Sequence, residues 1–265
     1  MVPGVHDSII DTEIQGILEP LYSDSILFNL GCRTYSGVPY GDIQIPLMSK
    51  TSVGWAGEIS AATATGVTFD TVLLSPKRLT AYIDISKMLL KQDTHQAEAA
   101  IRRDIVNALN DKLQETFFSD EAGSEVKPAG IFYNQELTEI EGFADIADLE
   151  ATIDDNNISG NRKYVVSNKA KAALRVMPKS SLTNQLMLES GEIDGTPVVA
   201  TSAIEDKNMV YGDFSNIVIC SWDNIELVLD EYTAAINGCI RLIINAYFDF
   251  KIVRPEGLAF AKIKE

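Results

Sequence analysis

The chain has 265 residues, enough for one large domain or two small ones with a sizeable core, and 46% of them are hydrophobic. Its 38 acidic and 22 basic residues give a formal net charge of −16. That balance excludes a nucleic-acid binder working through clustered Lys and Arg, but not a container that holds nucleic acid without gripping it.

In chain order, Ile9, Ile10, Ile14, Ile17, Leu18 and Leu21 recur at roughly helical spacing, and Pro20 ends or kinks that segment. Gly31 to Gly41 holds three glycines and a proline and reads as a linker or turn. Residues 42–47 alternate like a strand. A long, weakly hydrophobic excursion then runs from Lys50 to Ser75, with Trp55 among glycines and Glu58 close behind. The alternation returns at Leu79–Ile85, placing Leu79, Ala81, Ile83 and Ile85 on one face and Thr80, Tyr82 and Asp84 on the other. The expectation is that strands 42–47 and 79–85 pair and carry the excursion between them as an arm. A compact monomer has little use for such an arm, because loops this long are functional or disordered.

A helix follows. Asp93 and Gln96 have capping-box spacing, and apolar residues recur at Ala97, Ile101, Ile105, Ala108, Leu109, Leu113 and Phe117. Glu98 and Arg102 form an i,i+4 pair on its wet side. At about 25 residues it would span roughly 38 Å, a spine along one side of the domain. Gly123, Pro128 and Gly130 end it. Between 135 and 235, helices at 145–153 and 168–177 interleave with strands at 164–166, 197–200 and 217–220, an α/β or α+β subdomain. Ile240–Ile252 is long for a buried strand and leaves helix and strand both open, and Leu258–Ile263 reads as a strand.

Little supports catalysis. There are two histidines, His6 in the terminal segment and His95 at the helix start, too few for a histidine-based site or metal centre. No phosphate-binding loop, dinucleotide fingerprint or nucleophile elbow occurs. Acidic pairs such as Asp120-Glu121, Asp154-Asp155 and Asp230-Glu231 are expected by chance in so acidic a chain. Neither a cofactor nor a metal is expected, and an enzyme would have to rest on carboxylates alone. Cys32, Cys220 and Cys239 are widely spaced and read as buried small hydrophobes. No apolar stretch approaches the roughly 18 residues of a membrane span, and no signal peptide is read at Met1–Gly4. Trp222 reads as core or strand edge. Trp55, far from any apolar run, reads as an interface anchor at an arm tip, with local packing as the other reading.

The order of short elements resembles the major capsid proteins of tailed phages, of the Hong Kong 97 type. Val53-Gly54-Trp55-Ala56-Gly57-Glu58 is similar to the tryptophan-and-glutamate motif of that family's extended loop. Thr68 to Leu79, followed by Tyr82-Ile83-Asp84-Ile85-Ser86, resembles the strand returning to the spine helix. Lys127-Pro128-Ala129-Gly130-Ile131, Asp194-Gly195-Thr196-Pro197-Val198, Gly212-Asp213-Phe214-Ser215 and Arg254-Pro255-Glu256 resemble later family elements.

The resemblance implies an α+β capsid fold with five segments. These are an N-terminal arm (1–36), an extended β-hairpin loop (37–85), a peripheral domain with the spine helix (86–134), an axial α/β domain (135–236) and C-terminal strands of the peripheral domain (237–265). It implies a non-enzymatic subunit that tiles into pentamers and hexamers and closes an icosahedral shell around double-stranded DNA in the virion. Assembly would take place in the host bacterial cytoplasm. A scaffold protein, a maturation protease and a portal are implied partners, while no membrane or sequence-specific DNA contact is. Trp55, Glu58, Lys77 and Arg78 are the expected inter-subunit contacts. Lys50 and Lys77 are the lysines available for a crosslink, which is not expected for want of a matching asparagine. Removal of residues 51–75 is expected to leave a folded subunit unable to close shells. A bacterial nanocompartment shell, enclosing a cargo enzyme, is the other reading of the same fold.

Overall fold

The computed structural model describes residues 25–38, 41–48, 69–88, 96–158, 160–180 and 185–264. Two cores share one wall. That wall is a six-stranded mixed sheet ordered β5-β12-β9-β6-β8-β7. Its strands are β5 (Thr138–Ile140), β6 (Arg162–Ser167), β7 (Glu192–Ile193), β8 (Thr196–Thr201), β9 (Asn208–Asp213) and β12 (Leu258–Ile263). Side chains on a strand alternate between faces, and the wall uses both. Tyr164, Val166, Met209, Tyr211, Ala259 and Ala261 line one core, and Val165, Val210, Leu258 and Phe260 line the other.

Two helices cover the first face, α3 (Phe143–Asp155) and α4 (Asn168–Leu174). Ile146, Leu149 and Ile153 lie at i, i+3 and i+7 and are all buried. Asp145 accepts the backbone N–H groups of Glu141 and Gly142 at 2.7 and 2.8 Å, tying down the helix start and holding its carboxyl below the usual carboxylate range. The α4 helix is shorter than 168–177: Ser167 caps its start, and it ends at Leu174.

The second core lies between the wall, α2 (Gln96–Phe117) and a four-stranded sheet ordered β1-β10-β11-β4. Ile105, Leu109, Leu113 and Phe117 of α2 are buried as the spacing requires, and Ile101 packs against them. Ala108, expected on that face, is exposed. The helix of 22 residues spans about 33 Å. Phe117 meets Phe250 at 5.0 Å between ring centroids. Its exit is tight: a Cβ on Gly130 would stand 1.9 Å from the Ser119 carbonyl oxygen.

The four-stranded sheet is built differently from the expectation in two places, and in a third it decides between the readings left open. The presumed linker contains β1 (Arg33–Val38), parallel to β10. The strand at 217–220 is only the start of β10, which continues to Asp230. The segment 240–252 is a strand, β11 (Cys239–Ile252), because its apolar residues alternate: Leu242, Ile244, Ala246, Phe248 and Phe250 are all buried. The short helix α1 (Ile26–Asn29) sinks Leu27 into this core, with Leu30 just beyond it.

Candidate assembly arm

A two-stranded ribbon is present where the arm was expected to start, but its second strand is not the expected one. The segment β2 (Ile43–Met48) pairs antiparallel with β3 (Phe69–Leu74), from Ile43 opposite Leu74 to Met48 opposite Phe69. By patterning alone Phe69–Leu74 falls in the 50–75 excursion, whereas the resemblance of Thr68 to Leu79 implies a returning strand there, as β3 is. The strand at 79–85 is part of β4 (Lys77–Ser86) and pairs with β11 in the four-stranded sheet. Its alternation holds at Leu79, Ile83 and Ile85, while Ala81 is exposed. Two short strands are marginal in water without further packing, and among the described residues this ribbon has packing on one face only. Ile43, Ile45 and Leu47 lie against Leu74, Val218, Cys220, Trp222 and Val253. The opposite face carries Pro46, Met48, Phe69 and Leu73, the last three 61%, 72% and 42% exposed. The ribbon is therefore apolar on both faces, and among the described residues nothing covers one of them.

Both roots of the ribbon are pinned. At the first, the Trp222 indole N–H donates to the Gly41 carbonyl at 2.7 Å. At the second, Asp249 is 1% exposed and Lys77 10%. The Asp249 carboxylate accepts the Ser75 backbone N–H at 3.0 Å and the Lys77 ammonium at 2.9 Å through one oxygen, and the Phe250 N–H at 3.0 Å through the other. A buried carboxylate needs such compensation. This one holds the turn at 75–77 against β11.

The β10–β11 hairpin projects separately. Arg241 grips Asp84 across the strands at 2.7 and 2.9 Å and lies 4.4 Å over the Tyr82 ring. The turn is closed by Asp230, whose carboxylate accepts the Tyr232 and Thr233 backbone N–H groups. Its tip leaves Tyr232 87% and Ile236 98% exposed.

A profile of the phage capsid family matches residues 9–263. The chain belongs to the phage capsid family. It is 23% identical over 269 residues to the major capsid protein of Halomonas phage phiHAP-1, covering 98% of this chain and 44% of that protein. It is 23% identical over 250 residues to that of Klebsiella oxytoca phage phiKO2, covering 86% and 58%. The chain thus spans about half the length of the curated relatives it matches. The fold matches the capsid of a native GTA particle, with a TM-score of 0.72 at 16% identity over 88% of each chain. It matches equally a chain of Microbacterium phage Oxtober96, with a TM-score of 0.72 at 13% identity over 91% and 90%. The fold is therefore α+β of the Hong Kong 97-like kind.

Of the contacts expected for this capsid-family chain, Trp55 and Glu58 lie outside the described residues, as do Lys50, His6, His95 and Asp93. Lys77 is committed to Asp249 within its own subunit. Arg78 is exposed on β4. Trp222 is core, 3% exposed. Leu74 is fully buried, so removing 51–75 would open the packing around Trp222 as well as shorten the arm. The outward face of Pro46, Met48, Phe69 and Leu73 was missed. Its signal was a second alternation, Val72 and Leu74 against Phe69, Thr71 and Leu73, hidden by the adjacent Leu73-Leu74. Asp249 also left a signal: a lone acid between Phe248 and Phe250 needs a cation.

Proposed function

We propose that this chain is a major capsid subunit that assembles with copies of itself, as pentamers and hexamers, into a closed shell around phage double-stranded DNA. The observation that carries the reading is the ribbon with an uncovered apolar face. Covering Met48, Phe69 and Leu73 on a neighbour would contribute ~1–2 kcal/mol each, and a shell repeats that contact at every subunit. The residues between Met48 and Phe69, with Trp55 and Glu58, would reach the neighbour first, and Arg78 would add a charged contact. In this reading residues 1–36 form an N-terminal arm, 37–85 the extended loop, 86–134 and 237–265 the peripheral domain, and 135–236 the axial domain. The role is structural, with a scaffold protein, a maturation protease and a portal as partners.

The test replaces residues 49–68 by an Asn-Gly turn, which joins facing strands with matching twist and spares Leu74. A second variant, Met48→Ser with Phe69→Ser and Leu73→Ser, keeps the full arm. Both should give soluble subunits with unchanged circular dichroism and no closed shells by negative-stain electron microscopy. Normal shells from both would overturn the assignment.

A further inference from the structure

Two strand pairs meet end to end where the wall gives way to the four-stranded sheet. In the wall, β9 and β12 are paired as far as Gly212 opposite Leu258. In the other sheet, β10 and β11 are paired from Ile217 opposite Ile252. Between those two rungs both strands leave the ladder at the same level. One crosses through the 3-10 turn Phe214–Asn216, and the other, running the opposite way, through the 3-10 turn Pro255–Gly257. Short 3-10 pieces of this kind serve as connectors and hinges. With the ladder interrupted on both strands, the angle between the sheets depends on how the two crossings hold each other.

The crossings are locked together. The Val253 N–H of one donates to the Asn216 carbonyl of the other at 2.8 Å. The Asn216 side-chain amide is buried and donates to the Asp213 carbonyl at 3.0 Å. The Asp213 carboxylate accepts the Ser215 N–H at 3.0 Å and the Ser215 hydroxyl at 2.7 Å. The approach is so close that two positions have no room for a Cβ. On Gly212, whose φ is 149°, it would overlap the Gly257 carbonyl oxygen, and on Gly257 it would overlap the Asn216 amide. Asn156, at the end of α3, donates to the Glu256 carbonyl at 3.2 Å and ties the second crossing to that helix. A connector that only had to change sheets could satisfy its backbone groups in water. These groups bond within the junction instead, and Phe214 of the first turn is fully buried.

We propose that this double crossing is a clasp that fixes the angle between the wall and the four-stranded sheet, and that this angle sets the curvature of the shell. Asn216 and Asn156 are its positioning residues, and Gly212 and Gly257 make the close approach possible. The curvature rests on the shell reading above, whereas the fixed angle does not. Packed bodies move between discrete arrangements rather than bending continuously, so a loosened clasp admits a second angle. A rotation repeated at every subunit decides which closed assembly forms, so a second angle gives a second diameter.

The experiment reads the angle in unassembled subunits. The full chain carries Cys239→Ser, Tyr82→Cys on β4 and Val176→Cys just past α4, with a nitroxide label on each new thiol. Tyr82 and Val176 are exposed, and Cys32 and Cys220 are buried. Pulsed electron paramagnetic resonance should give one narrow distance distribution. Asn216→Ala and Asn156→Ala should each shift or widen it, and shells of the unlabelled variants should spread over more than one diameter in electron micrographs. Leu109→Ala opens a cavity beneath α2 and removes no hydrogen bond of the junction, so it should change neither. Asn156 is partly exposed, so its replacement keeps the fold even where Asn216→Ala does not. An unchanged distribution in the folded variants would overturn the clasp, as would an equal shift from Leu109→Ala. A shifted distribution with shells of one normal diameter would overturn the role in curvature. Failure of the unaltered chain to form shells would count against the shell reading, while the distances would still decide the clasp.

Discussion

The Lys77–Asp249 pair at the ribbon root makes a quantitative prediction. The two charges are 2.9 Å apart, with Asp249 1% and Lys77 10% exposed. At an effective dielectric of ~20 their attraction is about 6 kcal/mol, most of it offset by the cost of taking both from water. Removing one partner forfeits the attraction and keeps the other's desolvation cost. Asp249→Asn should therefore destabilise the subunit by about 3 kcal/mol, a fall of about 6–12 °C in Tm for a chain of this size. Lys77→Met should cost less, about 2 kcal/mol, because Asp249 keeps the Ser75 and Phe250 N–H groups. The double variant buries neither charge and should lose no more than Asp249→Asn alone, giving a coupling of about 2–3 kcal/mol. Urea unfolding of unassembled subunits at low concentration measures all three without the linkage that assembly adds. Additive losses, or a loss below about 0.5 kcal/mol for Asp249→Asn, would refute the buried clamp.

Two further predictions concern the core. Gly130→Ala should cost more than about 3 kcal/mol or abolish soluble expression, because its Cβ would overlap the Ser119 carbonyl, which is backbone and cannot step aside. Gly142→Ala, with open space around it, is the control and should stay within about 1 kcal/mol. Burial pushes the Cys32 and Cys220 thiols up to about 12, whereas Cys239 is partly exposed. Iodoacetamide at pH 8 should add one group to the native chain and three after denaturation, counted by mass spectrometry. Two or more on the native chain would contradict that packing.

The sequence was most legible where one periodicity ran without interruption. The α2 stripe from Ile105 to Phe117 and the strands at 164–166 and 258–263 follow directly from spacing. It was least legible where pairing partners had to be chosen. The 42–47 strand had two candidate partners downstream, and the more regular pattern, 79–85, belongs to a strand paired with β11 instead. Period-two patterning reports which face is buried, not which strand lies alongside. Tertiary context likewise turned the glycine-rich 31–41 segment into β1, since Gly37 and Gly41 take positive φ at the irregularity and at the entry to β2. The outward ribbon face escaped notice because its apolar residues resemble ordinary core residues until the packed face is known.

In the proposed shell of pentamers and hexamers a subunit would meet its neighbours at more than one angle, so some part of it would have to adapt while the rest stays fixed. The two cores cannot supply that freedom, because they share the six-stranded wall and a change in one is passed to the other. The ribbon can. It joins the body at Gly41, with a φ of 85°, and at Ser75-Pro76, outside the regular strands. Each link is held by one polar contact set, Trp222 to Gly41 and Asp249 to Ser75 and Lys77, rather than by a run of ladder hydrogen bonds. A few directional contacts at the root fix where the ribbon starts, while its packed face contributes only apolar contact, which is non-directional. In that proposed shell, the division between a polar pivot and an apolar blade would let one sequence keep a single fold and still fit more than one neighbour.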